Sequence, residues 1–334
     1  VNRSPAQRLR PQLICDYTMR RFLTPEDLGD LRKALDEARY VKANPFADQD
    51  LGRNKTLLLI FFNSSLRTRL SSQRAATNMG MNVIVLDINK DGWKLESEYG
   101  VVMDGDKPEH IREAVPVMGQ YADIIGVRSF ADFVDRDKDY KEHILNQFIE
   151  LSGRPVISLE SATRHPLQAF ADLITVEEYK TKPRPKVVMT WAPHPRALPQ
   201  AVPNSFVEWM KKADVELVMT CPKGYELAPE FMEGLTYEPD QDKALAGADF
   251  VYAKNWSSYH EYGQILSKDR SWTVDENKMA LTNNAKFMHC LPVRRNMIVS
   301  DEVIEGPNSI VIPEAANRVV SMQVVLKRML QSMK

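Results

Sequence analysis

Nine short apolar runs, separated by longer stretches of helical period, constrain this chain more than any other feature. They fall at 56–62, 82–88, 123–127, 155–159, 186–191, 215–220, 249–253, 286–289 and 309–312. Each is rich in Val, Ile, Leu or Phe with little polar alternation, the pattern of a strand covered on both faces. Such strands belong to parallel sheets whose crossover helices supply the cover. The expected class is therefore α/β. At 334 residues the chain exceeds what one core usually serves, so two domains are expected, each a mainly parallel β-sheet flanked by helices. The expected division is 19–165 for the first domain, 166–182 for a connecting helix and linker, and 183–313 for the second. The amphipathic segment 314–334, with Val320, Val324, Leu326 and Leu330 on one side, is expected to fold back and complete the first domain.

Composition excludes several function classes. With 44 Lys and Arg against 45 Asp and Glu, there is no basic excess for neutralising nucleic-acid phosphates. No stretch approaches the roughly 18 apolar residues of a membrane helix. Cys15, Cys221 and Cys290 are too few and too scattered for a disulfide framework or a zinc site, which points to a reducing, cytoplasmic setting. Residues 1–18 carry Arg3, Arg8 and Arg10 but lack the apolar centre of a secretory signal, and Pro5 and Pro11 interrupt any helix. They are expected to form a disordered extension ahead of Met19. No two glycines stand as G-x-G, and neither a G-K-[ST] loop nor an H-E-x-x-H pair occurs, so no nucleotide, metal or other cofactor is implied.

In parallel sheets ligands gather beyond the carboxyl ends of the strands, and the chemistry-bearing residues of this chain lie there. After the first run come Ser64, Ser65, Leu66, Arg67 and Thr68, leading into a helix. A strand-to-helix turn offers free N–H groups and the positive end of the helix dipole, while Arg67 can grip a phosphate bidentately. Simple N-capping by Ser64 or Ser65 explains the same serines. The third run ends at Arg128, and the fourth at Glu160 followed by His165, Pro166, Leu167 and Gln168. His165 suits either donation to a carbonyl oxygen gaining negative charge or a capping role, and Pro166 suits the first helical position. Beyond the eighth run, Cys290 reads as a nucleophile with a histidine partner or as a small buried residue.

The motifs Ser65-Leu-Arg-Thr-Arg69, His165-Pro-Leu-Gln168 and His289-Cys-Leu-Pro292, taken together and in this order, resemble the carbamoyltransferase (transcarbamylase) family. The resemblance runs from about residue 28 to the end. It implies a carbamoyl-phosphate-binding N-terminal domain, an amino-acid-binding C-terminal domain and a homotrimer with shared active sites. By the same likeness Ser65, Leu66, Arg67, Thr68, Trp93, Arg128, His165, Pro166, Leu167, Gln168, Cys290, Leu291 and Arg318 hold carbamoyl phosphate. Arg67, Arg128, His165 and Cys290 are the catalytic candidates, and no metal or cofactor is implied.

The likeness also implies an acceptor. Family members acting on free ornithine carry an aspartate and a Ser-Met-Gly loop in the second domain, whereas this chain has Tyr252-Ala-Lys-Asn-Trp256. Lys254 with Arg294 suits an acceptor whose α-amino group is masked by an acyl group. The stretches around Trp93, 101–106 and His194 resemble the N-acylornithine branch, in which Trp93 is expected to reach a neighbouring subunit's site and Glu160 to contact the acceptor. At Pro108 the acetylornithine branch has glutamate and the succinylornithine branch has proline. A glutamate there would repel a succinyl carboxylate by about 1–4 kcal/mol. Pro108 also suits the first position of a helix. The resemblance thus implies carbamoyl phosphate and N2-succinyl-L-ornithine as partners, with N-acetylornithine, or a non-catalytic metabolite-binding role, as the alternatives.

Overall fold

Eight of the nine apolar runs become strands in the computed structural model, which describes residues 19–333; the extension expected at 1–18 lies outside the described residues. The first sheet contains β1 (Arg21–Phe22), β2 (Thr56–Phe61), β3 (Asn82–Asp87), β4 (Ile124–Arg128) and β5 (Val156–Glu160), in the order β1-β5-β4-β2-β3. The second contains β6 (Lys186–Trp191), β7 (Glu216–Thr220), β8 (Thr236–Tyr237), β9 (Phe250–Lys254) and β10 (Lys286–Met288), in the order β8-β7-β6-β9-β10. All pairings in both sheets are parallel. Central strands such as β4 and β5 are buried at every residue, which is why their sequences show no alternation.

The flanking helices include α1 (Leu31–Ala43), α2 (Arg67–Asn78), α3 (Ile111–Tyr121), α4 (His143–Leu151), α5 (Pro166–Tyr179), α6 (Ala201–Met210) and α7 (Val311–Ser332). Helix α5 joins the two sheets and is buried from Pro166 through Val176. Phe170 stacks on Trp209 at 5.3 Å between centroids, and Phe206 stacks on Tyr252 at 4.1 Å. One apolar core therefore continues from the first sheet into the second. Helix α7 packs on α5, α2 and α1, burying Val320, Val324, Leu326 and Leu330. Polar contacts fix its register: Arg328 donates to Glu37 at 2.8 Å and Asn78 to Gln323 at 3.1 Å.

The ninth run is not a strand. Ser309 makes a single bridge to Phe287, and the chain turns at once into α7, which begins at Val311 rather than 314. Pro313 occupies the third helical position, where an N–H has no intrahelical acceptor and its loss costs nothing. The fifth strand of the second sheet is instead the two-residue edge β8, and β1 plays the same part in the first. Both are too short to leave a periodic signal.

Each sheet has one point where successive connections leave in opposite directions, between β2 and β4 in the first and between β6 and β9 in the second. These reversals open crevices at the carboxyl ends of the strands. Arg128 ends β4, the 62–66 turn follows β2, and Lys254 ends β9.

Candidate active site

Guanidinium groups from two distant parts of the chain meet at Thr68. Its buried hydroxyl Oγ1 accepts from Arg318 of α7 at 2.6 Å and from Arg128 of β4 at 3.3 Å. Arg67, the preceding residue, is half-buried with its Nε unpartnered. Ser65 Oγ accepts the Thr68 amide at 3.2 Å from one residue ahead of Leu66, the N-cap of α2. Arg128 donates to Glu160 Oε2 and lies over the Phe130 ring at 4.3 Å. Arg318 donates to Gln168 Oε1. Glu160, expected on the acceptor, has its carboxylate engaged by Arg128 and lies 3.3 Å from His165 Nε2.

His165 stands immediately before α5, and its ring is buried. Its side chain does not cap the helix; its backbone N–H donates to Ser205 Oγ at 2.8 Å. Burial first, and then the nearby charges of Arg318, Arg128, Arg67 and Lys254, hold its pKa well below the ordinary histidine value. It is therefore a neutral imidazole with one N–H to give. Burial and the neighbouring Arg128 also push Arg318 down to about 10, leaving it charged at neutral pH. Around this point the donors Arg67 Nε, Arg128 Nε, Arg318 Nε and His289 Nε2 are all buried without a hydrogen-bond partner among the described residues. Each orphaned buried donor costs about 1–3 kcal/mol, so such a convergence is the signature of a site that takes an anion.

The second sheet contributes the opposite wall. Lys254 is buried and forms no ion pair among the described residues. Arg294 Nε donates to His194 Nε2 at 3.0 Å, and His194 Nδ1 lies 3.1 Å from the Arg196 amide and 2.9 Å from the Arg196 carbonyl. Burial lowers the pKa of His194, in keeping with a neutral ring that accepts from Arg294. Cys290 is buried and its thiol is pushed up to about 11, chiefly by burial. A thiol of that pKa is not a thiolate at neutral pH. Leu291 and the buried Pro166 and Leu167 line the same turns.

Two expected residues stand apart. Trp93 is 58% exposed, and its Nε1 donates to Glu109 at 2.6 Å. Pro108 is exposed and is not at a helix start: it precedes the short strand Glu109–His110, and α3 begins at Ile111. Between them Tyr99 and Val102 are more than four-fifths exposed. A polar cavity of about 200 Å³ opens beside Ser65, lined by Ser64, Leu66, Arg69, Asp87 and Lys90. A larger one of about 470 Å³, between Tyr99 and α4, shares no residue with the cluster.

Sequence reasoning missed several supports. Glu142 accepts from Ser161 Oγ at 2.6 Å, from the Thr163 and Ala162 amides at 2.9 and 3.2 Å, and from Thr163 Oγ1. It thereby fixes the loop between Glu160 and His165, over a separation that leaves no sequence signal. Asp172 and Glu314 lie behind the cluster. Each is four residues from a named partner, Gln168 or Arg318, on the same helix, so spacing alone could have found them.

The profile described as "Aspartate/ornithine carbamoyltransferase, carbamoyl-P binding domain" matches residues 20–178, and that of the "Asp/Orn binding domain" matches residues 199–329. An N-succinylornithine carbamoyltransferase of Bacteroides thetaiotaomicron is 68% identical over 317 residues, covering 94% of this chain and 100% of the relative. An N-acetylornithine carbamoyltransferase of Xanthomonas campestris is 38% identical over 324 residues, covering 90% of this chain and 95% of the relative. Among solved structures, a glutamate-to-proline variant of N-acetyl-L-ornithine transcarbamylase, complexed with carbamyl phosphate and N-succinyl-L-norvaline, superposes with a TM-score of 0.87. It is 38% identical, and the match covers 93% of this chain and 99% of that one.

Proposed function

The chain belongs to the aspartate/ornithine carbamoyltransferase family, and from that premise we propose that it transfers the carbamoyl group of carbamoyl phosphate to the δ-amino group of N2-succinyl-L-ornithine. The products are N-succinyl-L-citrulline and phosphate, a step in arginine biosynthesis through succinylated intermediates. The observation that carries the reading is the meeting of Arg128 and Arg318 at Thr68, with the charge of Arg67 close to both and unpartnered nitrogens buried among them.

In this reading Ser65, Leu66 and Arg67, at the positive end of α2, receive the phosphate and take up its charge as it leaves. Thr68, Arg128 and neutral His165 face the carbonyl oxygen, which becomes more negative as the neutral δ-amine attacks the carbon. Gln168, Cys290, Leu291 and Arg318 close the donor pocket over the turn formed by Pro166 and Leu167. Cys290 acts there as an uncharged lining group, consistent with its raised pKa. Positioning of both substrates supplies much of the rate. The donor half is 19–165 with α7, the acceptor half is 183–313, and α5 and the following linker connect them.

Lys254, His194 and Arg294 hold the acceptor's carboxylate end, with Glu160 and Pro108 bordering it. Two facts support succinyl over acetyl. The relative 68% identical to this chain is a succinylornithine enzyme. An acetylornithine enzyme whose glutamate is replaced by proline has been solved with a succinyl ligand, as expected if Pro108 stands where that glutamate does. The exposed Trp93, Tyr99 and Val102 support a homotrimer in which Trp93 enters a neighbouring subunit's site. The buried free thiols of Cys221 and Cys290 support a reducing, cytoplasmic setting.

The test is carbamoyl transfer from carbamoyl phosphate to N2-succinyl-L-ornithine and to N2-acetyl-L-ornithine in parallel. Turnover favouring the succinyl acceptor is expected. A preference for acetyl overturns the choice of acyl group, and binding of carbamoyl phosphate without product from either acceptor overturns the enzymatic reading.

A further inference from the structure

Behind the donor pocket, two carboxyl groups are buried side by side without a counter-ion. Asp172 of α5 and Glu314 of α7 are both 0% exposed. Gln168 Nε2 donates to Asp172 Oδ1 at 2.7 Å and to Glu314 Oε1 at 3.4 Å, so one amide nitrogen touches both carboxyls. Glu314 Oε2 accepts the His289 amide at 2.9 Å, from the loop that carries Cys290. Neither carboxyl forms an ion pair among the described residues. The nearest guanidinium, Arg318, points away: its terminal nitrogens bond Gln168 Oε1 and Thr68 Oγ1, and its Nε has no partner. Asp172 Oδ2 and the Tyr252 hydroxyl are also buried and unpartnered.

Two adjacent carboxylates without a cation are too costly to bury, so the pair must retain a proton. We infer that Asp172 and Glu314 form a proton-holding pair that positions Gln168 and Arg318 and keeps excess negative charge away from the bound phosphate. These are positioning residues: they touch Gln168 and the His289 backbone, not the substrate. The inference rests on the reading of this pocket as the carbamoyl phosphate site and adds to it a regulation by pH.

Burial raises both pKa values: that of Asp172 to about 7, against hydrogen bonds with Gln168 and Glu314 that lower it, and that of Glu314, with repulsion by Asp172 added, well above the carboxylate range. The groups facing the pair are Gln168 from α5, Arg318 from α7, Tyr252 from β9, and His289 and Cys290 from the loop after β10. Tyr252 is held well above its ordinary value, Cys290 is near 11, Arg318 is near 10, and His289 is held well below the histidine range. His165, beyond Arg318, is likewise held low. Between pH 6.5 and 8.5 the pair is thus the group in this cluster that changes charge, and losing a proton places a new negative charge behind Arg318.

The expected result is a KM for carbamoyl phosphate that rises roughly fivefold from pH 6.5 to 8.5, part of the tenfold that one pKa unit of linkage allows. In the double variant Asp172→Asn with Glu314→Gln, which keeps hydrogen-bonding side chains but cannot ionise, that KM should be flat across the window. A merely structural role would change kcat or stability and leave the pH profile of KM intact. A rise that survives in the double variant, or a flat KM in the unaltered enzyme, overturns the inference. A second measurement needs no variant: calorimetry of carbamoyl phosphate binding near pH 7.5, in buffers of different ionisation heat, should show proton uptake. Proton release or no exchange overturns the inference as well. Failure to form product with either acceptor would instead count against the function proposed above.

Discussion

Replacing Thr68 by valine isolates the oxygen on which the donor site is built. The side chain is 1% exposed, and valine matches its branching, so the loss of the hydroxyl is the change that matters. What changes is that Arg318 loses an acceptor at 2.6 Å and Arg128 loses one at 3.3 Å. A short hydrogen bond from a charged donor contributes about 1.5–3 kcal/mol and the longer one less. The variant should therefore lose about 2–3 kcal/mol of transition-state stabilisation, a fall in kcat/KM for carbamoyl phosphate of roughly 30- to 150-fold. Steady-state kinetics at saturating N2-succinyl-L-ornithine measures it, with Thr68→Ser as the companion, because serine keeps the acceptor and loses only a methyl. The serine variant should stay within a few-fold of the parent enzyme. Valine within threefold of the parent, or serine as impaired as valine, would refute the reasoning, since the hydroxyl could not then be the common anchor.

Arg67→Ala should abolish measurable turnover while leaving the far-ultraviolet circular dichroism unchanged, and near-normal activity would remove Arg67 from phosphate binding. Pro108→Glu should shift the ratio of kcat/KM values toward N2-acetyl-L-ornithine, by about 1–4 kcal/mol from charge repulsion of the succinyl group; an unchanged ratio in a competition assay counts against Pro108 as the selector. With its pKa near 11, Cys290 is only about one part in a thousand thiolate at pH 8, so its alkylation by iodoacetamide should be roughly a hundredfold slower than that of an ordinary thiol. The sign is fixed by the raised value: the rate should climb about tenfold per pH unit until pH passes about 11. Mass spectrometry of the Cys290 peptide reads this directly, and fast, pH-independent modification at pH 7–8 would contradict it.

What the sequence revealed and what it concealed differ for physical reasons. The long strands were legible because burial on both faces writes an unbroken apolar run, as in Ile124–Arg128. The edges β1 and β8 were not, since two residues carry no period. The run at 309–312 misled because Val, Ile and Pro at a helix start resemble a strand end; only the single bridge to Phe287 separates the two. The donor site was readable because parallel sheets place function just past strand ends, and Arg128, Glu160 and Lys254 are the last residues of β4, β5 and β9. Glu142 and Ser205 were hidden, because their hydrogen bonds to the 161–165 loop join segments with no shared spacing. Trp93 and Pro108 are exposed on the single chain, so their proposed roles depend on a surface that this chain alone does not supply.

The charges of the site also bear on why the acceptor's α-amine should be masked. Among the described residues, Glu160, Asp172 and Glu314 lie near the cluster, and each is already committed. Glu160 is engaged by Arg128, while Asp172 and Glu314 share Gln168 and have no cation of their own. On the acceptor side Lys254 is buried without an ion pair among the described residues. An α-ammonium brought against Lys254 would meet like-charge repulsion of about 1–4 kcal/mol at close range, with no free carboxylate to offset it. Acylation converts that ammonium to a neutral amide and removes the repulsion, while the α-carboxylate keeps its attraction to Lys254 and Arg294. Discrimination against free ornithine then follows from charge alone, and it should weaken as Lys254 is neutralised. Lys254→Met, which keeps an unbranched stem and loses the charge, should narrow the gap in kcat/KM between N2-succinyl-L-ornithine and ornithine. A gap unchanged in that variant would place the discrimination elsewhere in the acceptor pocket.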